Sequence, residues 1–504
     1  MARGSAATPA GVRDDVSAVR AHPGDRLRRW RSILSTAPLS FLGLGVYRAW
    51  IEIAFVGTTI DFPTHRVAAH DAFDLVMVVT MLALAALHKR ITPLRERRWA
   101  RPVAVALLVL STAGEFASVW RPDLAVPLAW PCAVAGGVGI AVMILLWSEL
   151  YACESPVRIC LLYALSLVCG ALVVYVYRGF KADWLPVMTC LLPVVSIACL
   201  SYAWRSVPQP RRPVARAAAF TFPWKPIAVV SIYCFAFGLQ EVSSYGTFGP
   251  HSAPGMVACS LLVVAAIVTL SGRVEFQTIY GTWLPFLSAT FLLLPVLVPA
   301  QSPMGGTFAA FDAFSANFGY AASEIFVMTM VGSICYHYGV SAVWLFGIER
   351  AVRALAMLAG RHATLLAAQA SLPVAPLVAV AVLVATFMVV SEKRLDSAWG
   401  VRVQPDGEGE PGDVTRRGAL VSRCSDLARA HGLTQREEEV LILLAEHKTA
   451  GDIERELLIA NGTAKAHIGH VYQKLGIHSR EQLFEVTGAE GVQRPAGAAE
   501  APTG

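Results

Sequence analysis

Long apolar runs alternate with short polar stretches along most of this chain. A helix needs about 20 consecutive apolar residues to cross a bilayer once, and twelve runs near that length can be marked. They are 37–57, 71–88, 102–119, 127–150, 157–178, 184–204, 226–243, 253–271, 282–300, 315–337, 341–360 and 373–391. The pattern predicts an all-α fold built on a polytopic membrane helical bundle of about twelve transmembrane helices.

Lysine and arginine are unevenly distributed between the polar stretches. They are frequent in the first 35 residues and in HKRITPLRERRWAR at 88–101, but absent from 244–252 and 301–306. Because cytoplasmic loops carry the excess of basic residues, the N-terminus is predicted to be cytoplasmic. An even number of crossings returns the C-terminus to the same side, which predicts a multi-pass protein of the inner (cytoplasmic) membrane.

The polar stretch at 205–225 divides the apolar runs six and six. This 6+6 layout resembles the major facilitator architecture. Transporters of that family carry a Gly…Asp-Arg…Gly-Arg signature between helices two and three, whereas the loop at 88–101 has neither glycine nor aspartate. The resemblance therefore implies the helical layout, and the departure argues against transport.

Composition changes after residue 391. Over the chain 15% of residues are charged, against roughly 25% in soluble proteins, yet charges are frequent beyond this point. Five parts are predicted: a basic cytoplasmic tail (1–35), the membrane domain (36–391), a linker (392–418), a small soluble domain (419–488) and a disordered tail (489–504).

The soluble domain carries clear signals for helix boundaries. Thr434 with Glu437, and Ser479 with Gln482, have the spacing of capping boxes, which satisfy backbone N–H groups at helix starts. Gly476 is the expected C-cap of the helix before it. Within that helix, 462–475, one apolar stripe recurs at helical spacing: Ala464, Ile468, Val471 and Leu475.

A short helix, a tight turn and a second helix with a polar, weakly basic face form the helix-turn-helix layout. Residues 433–483 resemble the tetrahelical LuxR-type output domain of bacterial regulators, in register and without a gap. The matching residues are Leu433, Thr434, Arg436, Glu437, Glu439, Val440, Leu441, Ile453, Leu457, Ile459, Thr463, Lys465, His467, Ile468, Lys474, Leu475 and Gly476. The resemblance implies double-stranded promoter DNA as a partner and a fourth helix, 479–487, that pairs two chains into a homodimer on DNA.

The resemblance also implies that helix 462–475 reads DNA, with Lys465 and His467 among the contact positions, and the surface opposite the apolar stripe supplies further candidates. The candidates lie on helix 462–475: Thr463, Lys465, Ala466, His467, Gly469, His470, Gln473 and Lys474. The chain departs from the family where His447 replaces glycine, Glu454 replaces alanine and Ala460 replaces serine. Ala460 cannot cap the helix, so Asn461 is expected to cap it one position later; losing a cap costs about 1 kcal/mol.

Charged residues inside apolar segments are costly and indicate functional sites. The i, i+4 spacing of Arg48 and Glu52 predicts an ion pair within one helix, and Glu349, Arg350 and Arg353 predict further pairs of this kind. These charges either lock helices together or line a polar cavity for an unknown small-molecule effector. The ligand-sensing candidates are Arg48, Glu52, Glu241, Glu324 and Arg353.

The chain has no nucleophile elbow, P-loop, dinucleotide-binding fingerprint, CxxC pair or zinc-ligand spacing. We therefore expect no enzymatic activity, no cofactor and no metal. The favoured hypothesis is a membrane-embedded one-component transcriptional regulator that senses a small molecule or a membrane state. Two alternatives stay open: a major-facilitator-like transporter with a regulatory DNA-binding tail, and a membrane-tethered interaction module whose helix-turn-helix has lost DNA binding.

Overall fold

The computed structural model describes residues 39–56, 60–66, 70–207, 219–220, 224–241, 249, 251–270, 279–297, 305–338, 340–370, 374–391, 403–404, 413–457, 459 and 461–488. The predicted tails at 1–35 and 489–504 lie outside these residues, as does most of the predicted linker.

The first half of the membrane body is helical, and its first helix changes geometry along its length. A 3₁₀ turn, Leu39–Leu42, leads into helix α1 (Gly43–Trp50), which continues as a π-helix, Ile51–Val56. The helices of this half are α1 (Gly43–Trp50), α2 (His70–Ala86), α3 (His88–Ile91), α4 (Ala100–Trp120), α5 (Ala125–Tyr151), α6 (Pro156–Tyr177) and α7 (Leu185–Ser206).

The second half of the membrane body is also helical. Its helices are α8 (Trp224–Gly238), α9 (Pro254–Leu270), α10 (Leu284–Leu297), α11 (Gly305–Tyr338), α12 (Ala342–Ala370) and α13 (Val374–Ser391). The two halves meet where α2 packs against α12 and where α6 packs against α9 and α11.

Every apolar segment marked in the sequence coincides with a helix. Within the described residues, six stretches are long and apolar enough to cross a membrane: Leu39–Val56, Ala100–Trp120, Pro122–Tyr151, Pro156–Tyr177, Ala182–Ser206 and Ala310–Tyr336. The number of twelve crossings stays a prediction. Helices α11 and α12 each extend about ten residues beyond the predicted segments. The extension of α12 carries Arg361, whose guanidinium finds carboxylate partners inside the bundle.

The first helix of the C-terminal domain starts at Asp413, inside the predicted linker, and the domain boundaries stay a prediction. The helices are α14 (Asp413–Ala430), α15 (Gln435–Ala445), α16 (Ala450–Leu457), α17 (Asn461–Leu475) and α18 (Arg480–Thr487). Helix α14 packs on α15 and α18. Two short strands pair antiparallel: β1 (Ala219–Phe220), in the connection between the two halves of the membrane body, and β2 (Val403–Gln404), in the linker.

Helices α1 and α6 approach each other closely at two glycines. A Cβ on Gly45 would lie 2.1 Å from the carbonyl oxygen of Ser166 and 2.8 Å from the backbone nitrogen of Gly170. Small residues at such crossings let two backbones pack directly, which is how helices associate in membranes. This crossing fixes α1, and with it Arg48, against α6.

Substituting Gly45 with alanine should therefore destabilise the membrane body by about 1–3 kcal/mol, the usual cost of overpacking. The measurement is the thermal unfolding midpoint of the purified chain in lipid nanodiscs. Gly179→Ala is the matched control, because Gly179 is exposed and its nearest neighbour, the Val176 carbonyl oxygen, would lie 3.3 Å from the new Cβ. Equal midpoints for the two variants would contradict the close approach.

Candidate functional site

The C-terminal domain has the helix caps that the sequence predicts. The backbone N–H of Thr434 donates to Glu437 Oε2 at 2.7 Å, and the N–H of Glu437 donates to Thr434 Oγ1 at 3.4 Å. Ser479 and Gln482 form the same reciprocal pair at the start of α18. Gly476 has a φ of 69°, the left-handed conformation expected after α17. Both capping boxes and the C-cap are confirmed.

Helix α17 has one buried side and one exposed side. Ala464 and Val471 are completely buried, while Ile468 and Leu475 are half-buried. Most DNA-binding candidates lie on the exposed side: Lys465, Ala466, Gly469, His470, Gln473 and Lys474; Thr463 and His467 are half-buried. The helix therefore presents a polar face of suitable size for the major groove, which admits one α-helix.

Lys474 holds α17 on the rest of the domain. Its Nζ donates to Glu437 Oε2 at 2.6 Å and to the Gly432 carbonyl oxygen at 3.3 Å. Burial alone would raise the pKa of Glu437, but the hydrogen bonds from Lys474 and from the Thr434 backbone lower that pKa below its usual range. Among the DNA-binding candidates, Lys474 therefore has a structural contact inside the domain.

The departures from the LuxR-type pattern are compensated locally. His447 has a φ of 61°, a conformation that favours glycine, and its ring lies 4.0 Å from that of Phe484. The expectation that Asn461 caps α17 is not met, because Asn461 is the first residue of the helix and its side-chain amide donates to Glu454 Oε2 at 2.8 Å. Glu454, one of the departures, is thus held by Asn461 at the start of α17.

A cluster of buried charges lies in the membrane body around Glu324 of α11. Glu324 Oε2 accepts hydrogen bonds from Arg48 Nη1 at 3.1 Å and from the Tyr163 hydroxyl at 2.6 Å. Arg353 forms an ion pair with the same carboxylate, and Arg350 Nη1 lies 3.8 Å from Oε2. The sequence candidates Arg48, Glu324 and Arg353 therefore meet in one site.

The predicted ion pair between Arg48 and Glu52 is wrong. The Glu52 carboxylate accepts hydrogen bonds from the backbone of His251 at 2.8 Å, the backbone of Gly249 at 3.3 Å and the hydroxyl of Ser252. Three donors from one segment, about 200 residues away in the sequence, satisfy this buried carboxylate, and Arg48 pairs with Glu324 instead.

The predicted ion pairs inside α12 are present. The Glu349 carboxylate lies 3.5 Å from Arg350 Nε and 3.6 Å from Arg353 Nε.

A second charged cluster surrounds Arg361, which the sequence did not single out. Arg361 Nη2 lies 3.0 Å from Glu241 Oε2 and 3.3 Å from Asp74 Oδ2, and Arg361 Nη1 donates a hydrogen bond to Asp71 Oδ1. His362 Nε2 lies 2.9 Å from the other oxygen of Asp71. Glu241 was among the predicted sensing residues. Its partners Asp71, Asp74, Arg361 and His362 were missed because they lie at the margins of the apolar runs, where charge is ordinarily solvated. One feature of the sequence could have indicated this cluster: Arg361 and His362 stand directly after the predicted end of the eleventh apolar segment, 341–360.

A cavity of about 130 Å³ lies between these clusters. One water needs roughly 10–15 Å³ by this measure, so the space suits a small organic molecule. Of the predicted sensing residues, Arg48, Glu241 and Arg353 line the cavity, while Glu324 contacts three of its arginines and Glu52 is outside the lining. Arg350, which the sequence indicated only as a member of an ion pair, also lines the cavity, and the sequence analysis missed three further charged or titratable lining residues: Asp74, His251 and Arg361.

Comparison with known proteins separates the two parts of the chain. Residues 431–487 match the family "Bacterial regulatory proteins, luxR family". Fifty residues, 10% of this chain, are 46% identical to the spore germination protein GerE of Bacillus subtilis (strain 168), of which they cover 68%.

Among solved structures, the chain is similar to the MFS (major facilitator superfamily) proton:xylose symporter XylE bound to 6-bromo-6-deoxy-D-glucose. The TM-score is 0.47 with 14% sequence identity, covering 74% of this chain and 100% of that one. The human organic anion transporter MFSD10 gives a TM-score of 0.40 with 13% identity, covering 75% of this chain and 97% of that one.

Fold and sequence match together define a class of protein: a helical membrane body joined to a LuxR-type DNA-binding helix-turn-helix domain. Through residues 431–487, the chain belongs to the luxR family of bacterial regulatory proteins.

Lys465 and Lys474 should behave differently when their charge is removed. Lys465→Gln removes an exposed cation from the polar face of α17, which we call the reading face. DNA affinity should therefore fall uniformly across sequences, and the slope of log affinity against log salt concentration should decrease in magnitude by about one. The measurement is fluorescence anisotropy of duplex DNA with the intact chain in nanodiscs at several salt concentrations. Lys474→Gln is the comparison variant. Because Lys474 bonds Glu437 and Gly432, this variant should in addition lower the hydrogen-exchange protection of α15 and α17, which Lys465→Gln should leave unchanged. An unchanged salt slope for Lys465→Gln would contradict its assignment to phosphate or base contact.

Acid should loosen the same part of the domain through Glu437. Because its folded pKa is lowered, the stability it contributes is present above its ordinary pKa of 4.5 and is lost as pH falls through the lower folded value. Hydrogen exchange of α15 and α17, corrected for its intrinsic pH dependence, should show protection decreasing below about pH 4.5. Glu437→Gln should flatten this profile; an identical profile in both proteins would refute the role of this carboxylate.

Proposed function

We propose that this chain is a membrane-embedded one-component transcriptional regulator. Its membrane body senses a small molecule or a membrane state and controls how the C-terminal domain engages promoter DNA. The supporting observation is a direct contact between the two parts. The Tyr336 hydroxyl, near the end of α11, donates to Glu456 Oε1 of α16 at 2.8 Å, and both residues are buried. Helix α14 packs on α11 beside this bond.

Helix α11 connects this contact to the charged cluster. It runs without interruption from Gly305 to Tyr338 and carries both Glu324 and Tyr336. Twelve residues separate the two, which corresponds to about 18 Å along an α-helix. A change in the partners of Glu324 would shift a continuous helix whose other end holds the output domain. Such a helix is a physical route for coupling, provided that two arrangements of the cluster exist.

Control through this contact would act on the position of the output domain. The docked domain keeps Lys465, Gly469 and Gln473 exposed, so none of the residues that the structure describes covers this face of α17. Helix α18 also keeps Val486 exposed, with 43% of its surface accessible. We infer that docking restrains the pairing of two output domains through α18, and that release permits a homodimer to bind promoter DNA.

The position of the docking contact supports a cytoplasmic output domain in the inner membrane. Thr92, within the basic loop at 88–101, contacts Ser341 at 3.1 Å, and Ser341 follows Tyr336 by five residues. The output domain therefore docks near the arginine-rich loop that the positive-inside rule assigns to the cytoplasm. Both termini would be cytoplasmic on this assignment.

A transporter with a regulatory tail is the second candidate, because a charged cavity between two helical halves would also suit a carrier. Uptake by the purified chain in proteoliposomes separates the two. Uptake that is lost in Glu324→Gln would favour a carrier, whereas promoter control without uptake would favour the regulator.

Tyr336→Phe tests the regulator directly. The variant keeps the ring but leaves the buried Glu456 carboxylate without the phenol donor, a change that typically costs about 1–3 kcal/mol. With Lys448 still 3.9 Å from Glu456, docking should weaken by roughly tenfold or more. Genome-wide promoter occupancy in cells should change, while affinity of the output domain for duplex DNA in vitro should not.

Tyr202→Phe is the matched control, because Tyr202 is 59% exposed on the membrane body. It should leave occupancy as in the unmodified chain. If Tyr336→Phe also leaves occupancy unchanged in every growth condition, the contact does not regulate the output domain.

A further inference from the structure

The cavity between the two charged clusters is positive at one end. Three arginines, Arg48, Arg350 and Arg353, line that end. The carboxylates in contact with them are Glu324 and Glu349. Three guanidinium groups against two carboxylates leave an excess of one positive charge in a buried site. An uncompensated buried charge is unfavourable, so this end is complementary to an anion.

One of these arginines also keeps a donor without an acceptor. Arg48 Nε is buried and has no hydrogen-bond acceptor among the residues that the structure describes, whereas Arg350 Nε makes no hydrogen bond but lies 3.5 Å from Glu349 Oε2 in an ion pair. Both residues are at least 95% buried. Buried donors are ordinarily satisfied, and a carboxylate that brings two acceptor oxygens matches the planar donor edge of a guanidinium.

The opposite end of the cavity has the reverse sign. There Arg361 is shared by three carboxylates, those of Asp71, Asp74 and Glu241. Arg361 follows Arg353 by eight residues on α12, about 12 Å along the helix. An anion is therefore attracted to the end at Arg353 and repelled from the end at Arg361. A cation would have to compete with Arg361, which already occupies those carboxylates.

Most of the remaining wall of the cavity is apolar, and its polar members are Tyr47, His251 and Tyr320. Met77 and Met81 of α2 face the space together with Ile140 and Ile144 of α5, and Met357 of α12 adds a further flexible apolar side chain. Methionine adapts to irregular shapes. These walls suit a hydrocarbon body, and they provide few polar partners for a sugar or a peptide.

We propose that this cavity binds a small organic monoanion, a carboxylate with an apolar body. The carboxylate lies on Arg48 and Arg350, and the body lies against the methionines and isoleucines. Binding balances the three guanidinium groups without displacing Glu324. The inference that this ligand acts as the signal rests on the proposed function; the binding itself does not.

The test uses hexanoate as the probe, with hexanamide and hexylamine as uncharged and cationic molecules of the same length. The readout is thermal unfolding of the intact chain in nanodiscs at constant ionic strength. Hexanoate should raise the midpoint in a saturable way, because a ligand that binds the folded state stabilises it. Hexanamide and hexylamine should not. Stabilisation by hexylamine instead, equal effects of all three, or no effect of hexanoate would overturn the proposal.

Two substitutions locate the site. Arg350→Gln should weaken hexanoate affinity on the order of 30-fold, because a buried partner of the charge is lost. Glu324→Gln removes a negative charge from the same cluster and should strengthen hexanoate affinity, a direction that a merely structural role does not predict. Arg121→Gln is the control, since Arg121 forms an exposed pair with Asp123. Weaker binding in Glu324→Gln, or unchanged binding in Arg350→Gln, would place the anion elsewhere.

Promoter occupancy with and without hexanoate separates this proposal from the proposed function. Saturable binding that leaves occupancy unchanged would contradict sensing through this cavity but keep the anion site. Occupancy that changes in Tyr336→Phe while hexanoate fails to bind would keep the regulator and reject the anion site.

Discussion

A carboxylate that cannot be buried alone organises the membrane body. Glu324 is 2% exposed, and a charge in such a place is tolerated only when opposite charges and donors surround it. Its partners come from three other helices: Arg48 of α1, Tyr163 of α6, and Arg353 with Arg350 of α12. Since both halves of the bundle contribute, this one electrostatic requirement fixes how the halves meet and leaves a charged cavity beside it.

The same helix that carries this carboxylate extends to the output domain. Helix α11 ends beside α14 and α16, where the Tyr336 hydroxyl bonds Glu456. The luxR-family domain is thus a body docked on the end of a membrane helix, and its reading face stays exposed. In the function proposed above, regulation would depend on position: one arrangement of α11 would keep the output domain docked, and another would release it to pair on DNA.

Local signals in the sequence predicted local structure well. Apolar length located the membrane helices, and the spacings of Thr434 with Glu437 and Ser479 with Gln482 located the caps, because each depends on neighbours within one turn. Partners across the fold were predicted less well. The i, i+4 spacing of Arg48 and Glu52 describes one helix only, while their real partners lie about 200 residues or more away. The cluster at Arg361 was missed for the same reason, since no local pattern brings Asp74 and Glu241 together.

The central claim is that the charged cluster sets the position of the output domain. Pulsed electron-spin distance measurements test it most directly, with one label on Arg98 of the basic loop and one on Asp426 of α14, both exposed sites. In nanodiscs the unmodified chain should give one narrow distance distribution, and Glu324→Gln should shift or broaden it. A broad distribution in the unmodified chain, or an identical narrow one in both proteins, would show that the cluster does not control docking.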